Sequence, residues 1–280
     1  MKPSNVLIMF ITLLLATWTL SATNKVQCDS VAHQKMLKQL EKLVIQQDRE
    51  INTGKFIEAK KTIKEILRLK PGKTISVMML NNYASVCEKL KDYDEALLSY
   101  SAALTQDEGN SGIRNNRALF FVKIGKIDDA ILDYSYLVTQ HPDNEVYKYK
   151  RAMLYIAKEQ YANAEIDLMS ILDKNEKSMK AQEGLALVYT LTGRYDDAEH
   201  IYDILIEKLP KEAGLYEGKA RIYLLTGKTG FALRDVQKAI SMSVSPSPSM
   251  YLLRAEIFKA MGDKKSAQKD LQTAHSMGVE

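Results

Sequence analysis

Small and large apolar residues recur at a fixed spacing along this 280-residue chain. Seven alanines follow one another at intervals of 34 to 37 residues, namely Ala59, Ala96, Ala130, Ala164, Ala198, Ala232 and Ala267. Each of the last six is preceded, 12 residues earlier, by another alanine, and a bulky residue stands three positions after that earlier alanine. Residues three apart share one face of an α-helix. The pattern therefore predicts an array of two-helix units with a period in the mid-thirties.

Glycine and proline mark the predicted helix ends. A glycine follows the first helix in five units, at Gly54, Gly125, Gly193, Gly227 and Gly262. Prolines follow the second helix in three units, at Pro71, Pro142 and Pro210. Because proline cannot continue a helix, these positions predict where the second helices stop.

This arrangement resembles the tetratricopeptide repeat, a helix-turn-helix of 34 residues with small residues in both helices and a frequent closing proline. The resemblance implies an all-α fold, a right-handed α-solenoid of about seven repeats. It covers nearly all of the chain beyond the first 23 residues. We place an N-terminal extension or helix at residues 24–39 and the solenoid at 40–280. The repeats are 40–73, 77–110, 111–144, 145–178, 179–212, 213–246 and 248–280.

The first unit departs from the pattern. Gln47 and Glu50 stand where other units have the alanine and the bulky residue of the first helix, so we expect this helix to pack on one side only. An apolar stripe from Met36 to Ile51 predicts one long helix, with Ser30 as its N-cap.

The last unit also departs from the pattern. It has Asp270, Thr273 and His275 where the fifth unit has isoleucines. This predicts the polar outer face that closes a solenoid, and hence that the array ends at Glu280. The Ser-Pro stretch at residues 243–249 is predicted to be the longest connection between repeats.

Residues 1–23 predict a signal peptide. Lys2 precedes a 15-residue apolar run that ends at Leu20, and small polar residues follow it. We expect cleavage near Ser21 to Thr23 and export to a periplasm or to the exterior. The alternative is an uncleaved anchor in the inner membrane, which needs about 20 apolar residues. Because the run is shorter than that, cleavage is favoured.

The two cysteines do not predict a bacterial lipid anchor or a definite disulfide. Cys28 follows Lys25, Val26 and Gln27 and therefore lacks the small preceding residue of a lipidation motif. Cys87 takes the inward position of its unit, where a free cysteine behaves as a small buried hydrophobe. Two unpaired cysteines are favoured, and a disulfide between them remains the alternative.

The charge balance does not predict a nucleic-acid partner. Without Lys2 the chain has 38 basic and 35 acidic residues, a net charge of +3. Residues 31–73 are more basic, with 11 Lys and Arg against 5 Asp and Glu. This segment can contact an anionic membrane surface or an acidic partner, although an ordinary solvated helix face is the favoured interpretation.

No pattern of catalysis, cofactor binding or metal binding is present. The histidines His33, His141, His200 and His275 lie in different units without a second ligand at metal-binding spacing. There is no glycine-rich phosphate loop and no nucleophile motif. The acidic pairs at 128–129 and 196–197 are better explained as helix-start residues than as catalytic acids. We predict no cofactor, no metal and no enzymatic activity.

The resemblance implies that the first helix of each repeat lines a concave groove. The residues at groove-lining positions are Asn81, Asn82, Ser85, Asn115, Asn116, Leu119, Tyr149, Lys150, Met153, Glu183, Leu187, Glu217 and Arg221. Asparagine amides both donate and accept hydrogen bonds, so they suit the backbone of an extended peptide. Apolar pockets beside them would come from Tyr149, Met153 and Leu187. In the alternative interpretation, which is equally compatible with the sequence, the apolar residues of this set pack between adjacent helices.

The function predicted from these features is an exported scaffold that binds a protein or peptide partner in its groove and is not catalytic. The alternative is a membrane-tethered assembly subunit with an uncleaved anchor and a basic first repeat facing lipid or an acidic partner. Of the carboxylate clamp found in chaperone adaptors of the resembling family, only Asn116 and Lys150 match, so that specificity is not carried over. The partner and the oligomeric state stay open.

Overall fold

The computed structural model describes residues 24–278, with side chains from residue 31 onward apart from residue 32. The predicted signal peptide, its cleavage site and the side chain of Cys28 lie outside these residues. The described part consists of α-helices and contains no strand, which confirms the all-α prediction. Its helices are α1 (Asn24–Asn52), α2 (Phe56–Arg68), α3 (Lys73–Leu90), α4 (Tyr93–Gln106), α5 (Ser111–Lys123), α6 (Ile127–Gln140), α7 (Glu145–Ala157), α8 (Tyr161–Leu172), α9 (Met179–Leu191), α10 (Tyr195–Lys208), α11 (Ala213–Leu225), α12 (Thr229–Met242), α13 (Pro248–Ala260) and α14 (Lys264–Ser276).

The helices form two compact units, one extending to Asp133 and the other starting at Tyr134. In the first unit, α1 packs on α2, α2 on α3, α3 on α4 and α4 on α5. In the second unit, each helix from α7 to α14 packs on the next. The odd-numbered helices α7, α9, α11 and α13 also contact one another in that order. The odd-numbered helices of the second unit therefore form a layer of their own, as in an α-helical repeat solenoid.

The recurring alanines are the points of closest helix packing. All seven alanines that define the period are at most 2% exposed, and the six that precede them are fully buried. A methyl side chain allows the facing helix to approach closely, and larger neighbours such as Tyr100 and Leu168 fill the space beside it. The sequence period is thus a packing period.

Three repeats contain the same ion pair between their two helices. Arg117 bonds Asp133 in the first unit, and Arg151 bonds Asp167 in the second. In each pair the guanidinium Nε and Nη2 bond the two carboxylate oxygens at 2.7–2.8 Å. The last repeat repeats the arrangement with Arg254 and Asp270, at 2.7 Å for both bonds. Such bidentate pairs fix the two helices in one geometry.

The prediction for Asp270 was therefore wrong. Its side chain is not part of a polar outer face, because it is only 3% exposed and accepts both bonds from Arg254. His275, by contrast, is exposed. Asp270 lies in the second turn of α14, and its position there does not reveal the partner that stands 16 residues earlier, Arg254.

Two boundary predictions were also wrong. Helix α1 begins at Asn24 and not after Ser30, because the residues between them contain no glycine or proline to stop the helix. The longest connection between described helices is residues 173–178, whereas α12 and α13 are joined by the shorter segment 243–247. Pro248 opens α13, where its fixed φ and missing N–H suit the first turn.

The first helix pairs closely with its neighbours despite its unusual residues. Gln47, which replaces the small residue, is 1% exposed. Its Oε1 accepts a bond of 3.5 Å from Asn82 Nδ2 on α3. Glu50 accepts a 2.7 Å bond from the Thr62 hydroxyl on α2.

Within the described residues, no helix has the length and apolar character needed to cross a membrane.

Candidate functional site

A pocket of about 370 Å³ opens on the layer of odd-numbered helices in the second unit. Helices α7, α9 and α11 form its walls, and one residue of α10 reaches it from behind. The lining residues are Tyr149, Met153, Glu183, Gly184, Leu187, Tyr202, Gly214, Glu217, Gly218 and Arg221. We call this the α9–α11 pocket. It combines an apolar wall with two carboxylates, one guanidinium and two phenols.

Two glycines create the space for this pocket. Gly184 and Gly218 occupy the sixth position of their repeats, where the preceding repeats have Asn82, Asn116 and Lys150. A Cβ at position 218 would lie 2.4 Å from Cζ and 2.5 Å from the hydroxyl oxygen of Tyr202. The ring of Tyr202 therefore reaches the pocket only because α11 has no side chain at this point.

The hydroxyl of Tyr202 is a polar group without a hydrogen-bond partner among the described residues. The residue is 5% exposed, and no residue that the structure describes makes a hydrogen bond to its hydroxyl. Burial raises the pKa of Tyr202, and the carboxylates of Glu183 and Glu217 raise it further, against the opposite effect of Arg221. These three charged groups therefore act on the same phenol.

The electrostatic environment of the pocket is acidic. Burial and the negative charge of Glu212 raise the pKa of Glu183. Burial, followed by the charge of Glu183, raises the pKa of Tyr149. A carboxylate that is partly desolvated and repelled by another gains strongly from a cation placed beside it.

The groove-lining residues predicted in the second unit divide between two pockets. Six of them line the α9–α11 pocket together, namely Tyr149, Met153, Glu183, Leu187, Glu217 and Arg221. Lys150 lies outside it.

Lys150 lines a separate pocket of about 240 Å³ together with Tyr149, Glu145, Val146, Ile171, Ser178 and Lys180. Its ammonium lies 5.6 Å from the centre of the Tyr134 ring. Burial lowers the pKa of Lys150. The lysine thus neighbours the α9–α11 pocket through Tyr149 without lining it.

The predicted asparagine ladder exists in the first unit, but its amides bond one another. Asn116 Nδ2 on α5 donates to Asn81 Oδ1 on α3 at 2.9 Å, and Asn82 bonds Gln47 on α1. Each amide has further donor and acceptor capacity. The ladder therefore ties three helices together, and it offers a peptide less than the sequence implied.

A pocket of about 600 Å³ surrounds part of this ladder. Its lining is Lys73, Thr74, Val77, Met78, Asn81, Asp107, Asn110, Gly112, Ile113 and Asn116. Asn110 caps α5 by accepting from the Ile113 N–H at 3.1 Å, and it donates to Asp107 at 2.8 Å. Much of the polar lining is thus engaged within the protein.

The three remaining predicted residues of the first unit lie on the same helices but line none of the pockets described above. Ser85 is exposed and Asn115 is half-buried. Leu119 is 45% exposed, so it does not pack fully between adjacent helices.

The side chain of Cys87 has a structural position. Cys87 is free and fully buried, and burial is the main cause that raises the pKa of its thiol to about 11. It is therefore protonated and poorly nucleophilic near neutral pH. The described residues contain no group of His, Cys, Asp and Glu side chains suited to a metal ion.

Sequence reasoning missed Tyr202 and the glycines around it. Tyr202 lies on the second helix of its repeat, outside the face from which the groove-lining residues were predicted, and it is buried. The signal that points to the pocket is the substitution of glycine for asparagine or lysine at positions 184 and 218.

Two segments match sequence models described as the tetratricopeptide repeat, at residues 79–110 and 149–213. No match to a curated protein was found. Among solved structures, a tetratricopeptide repeat protein from Parabacteroides merdae ATCC 43184 is 32% identical, with a TM-score of 0.78. The match covers 87% of this chain and 94% of that one.

Two more distant structures share the fold. PilW, a type IV pilus biogenesis factor, is 20% identical with a TM-score of 0.58, covering 71% of this chain and 98% of its own. A MamA protein is 20% identical with a TM-score of 0.52, covering 60% of this chain and 91% of its own. At this level of identity the similarity concerns the fold alone.

Proposed function

This chain belongs to the tetratricopeptide repeat proteins, and on that premise we propose that it is an exported, non-catalytic scaffold that binds an extended segment of a protein partner. The segment lies along α7, α9 and α11 of the second unit. The observation that carries the proposal is the α9–α11 pocket, which joins residues from three successive repeats. Solenoids of this kind present continuous surfaces to their ligands.

The pocket has the composition of a peptide-binding surface. Met153 and Leu187 supply an adaptable apolar wall. The polar groups around them are few and of defined position, which is how ligand sites acquire orientation and specificity. The asparagine-lined pocket of the first unit is the weaker candidate, since its polar groups already bond within the protein.

We expect Leu187→Asp to weaken the binding of peptides selected from a random 12-residue display library on the purified chain. A carboxylate at this half-buried position would lose hydration when a segment covers it, so affinity should fall at least about tenfold. Binding is measured by titration of the selected peptides.

The matched control is Ile166→Asp, which places the same charge on α8 at a side chain that is 66% exposed. This variant should bind as the wild type does. Both variants should keep the helical circular dichroism of the parent. Loss of binding with Ile166→Asp and retention with Leu187→Asp would place the ligand elsewhere and contradict the proposal.

Export is part of the proposal and rests on residues 1–23. The protein recovered from its native cells should have a mature N-terminus near Ser21 to Thr23, because the apolar run is short and ends in small polar residues. Intact-mass spectrometry gives the answer. A mass that retains Met1 or the apolar run would favour the anchored alternative.

The anchored assembly subunit remains the second candidate, and its basic first repeat has partners in the protein. Lys60 Nζ lies 2.6 Å from Asp92 and 3.1 Å from Glu95. Lys64 Nζ lies 3.7 Å from Glu95. These acidic residues of α4 and its N-cap reduce the positive charge that this face can offer to anionic lipid, so we favour the scaffold.

A further inference from the structure

The polar groups of the α9–α11 pocket accept hydrogen bonds more than they donate them. Glu183 and Glu217 offer carboxylate oxygens, and the hydroxyl oxygen of Tyr202 has no partner among the described residues. Arg221 is the single cation of the lining. With Glu212 acting on Glu183 from nearby, three carboxylates oppose one guanidinium. The pocket is therefore complementary to a positively charged donor.

The remaining walls suit a long alkyl chain. Met153 and Leu187 line the same pocket as the carboxylates, on α7 and α9. Basic side chains place their methylene groups along apolar surface while their charged ends reach polar groups. The rings of Tyr149 and Tyr202 add faces on which a cation is attracted.

We infer that the α9–α11 pocket receives a lysine or arginine side chain of the bound segment, an inference that rests on the proposed function. The carboxylates of Glu183 and Glu217 take the charged end, and the Tyr202 hydroxyl accepts one of its hydrogen bonds. Arg221, one turn beyond Glu217 on α11, remains available to a backbone carbonyl or an acidic neighbour in the segment.

An acidic or purely apolar anchor fits less well. A carboxylate in the pocket would be repelled by two carboxylates, Glu183 and Glu217. It would have one favourable partner, Arg221. An apolar side chain would cover Glu183, Glu217 and the Tyr202 hydroxyl without satisfying any of them, which leaves buried polar groups unpaired.

The test uses the same random 12-residue display library on the full chain. We expect selected peptides to share one lysine or arginine, and replacement of that residue by norleucine to weaken binding about tenfold or more, as for a lost charge-assisted hydrogen bond. Glu183→Gln and Glu217→Gln should each lower the affinity for the parent peptide by a similar factor. They should hardly change the affinity of the norleucine peptide.

Glu159→Gln serves as the control, since Glu159 is an exposed acid in the loop after α7 and lines none of the pockets described above. It should leave both affinities unchanged. A contrary result would be selected peptides whose affinity Leu187→Asp lowers and which nevertheless share no basic residue, or keep their affinity when norleucine replaces that residue. That result would overturn this inference and leave the proposed function standing. A library that yields no binder, or binders insensitive to Leu187→Asp, would overturn both.

Discussion

Replacement of Asp167 by alanine should destabilise the protein by about 2 to 4 kcal/mol, because it leaves the partly buried guanidinium of Arg151 without its carboxylate partner. Asp167 is 3% exposed and accepts two bonds from Arg151, at 2.7 and 2.8 Å. The same interaction raises the pKa of Arg151. Urea unfolding followed by helical circular dichroism measures the loss as a lower midpoint.

Asp203→Ala is the matched control for this prediction. Asp203 also lies on the second helix of a repeat and pairs with a cation, Lys219, but its side chain is 54% exposed. An exposed pair of this kind contributes less than about 1 kcal/mol to stability.

Combining Arg151→Met with Asp167→Leu should recover most of the stability lost in Asp167→Ala, since no charge is then left unpaired. Equal midpoints for Asp167→Ala and Asp203→Ala would contradict the structural role of the buried pair.

Gly218→Ala should destabilise the protein by about 1 to 3 kcal/mol and close the α9–α11 pocket. Helix propensity alone predicts the opposite, a gain of about 1 kcal/mol, because alanine favours a helix over glycine. The new methyl group would lie 2.4–2.6 Å from three atoms of the Tyr202 side chain, so this side chain must move, and we expect it to fill the pocket. Both the urea midpoint and the affinity for library-selected peptides should fall.

Gly230→Ala separates packing from propensity. Gly230 lies in the first turn of α12, is exposed and would place its Cβ in open space. This variant should be as stable as the wild type or slightly more so. If Gly218→Ala matched it in stability and in peptide affinity, the close approach of Tyr202 to α11 would not determine the shape of the pocket.

The sequence predicted the helical array because packing between neighbouring helices is encoded locally and repeated. Each buried alanine marks a close helix contact, so the period of residues such as Ala130, Ala164 and Ala198 reports the architecture directly. Helix ends were harder to predict. The start of α1 and the connection before Pro248 depend on single residues at the boundary, where several starting points have similar propensities.

The sequence predicted only those residues of the candidate site that lie on one face of the first helices. Residues such as Tyr149, Leu187 and Glu217 were identified because they occupy equivalent positions on successive first helices. Tyr202 was not, because it comes from the second helix of its repeat. Its access to the pocket depends on an absent side chain at Gly218, which a pattern of hydrophobic positions does not record.

The affinity of one library-selected peptide for the wild type, Leu187→Asp and Ile166→Asp tests most directly whether a partner lies along α7, α9 and α11. The account predicts a dissociation constant at least about tenfold higher for Leu187→Asp and unchanged for Ile166→Asp. The reverse order, or equal affinity for all three proteins, would contradict it.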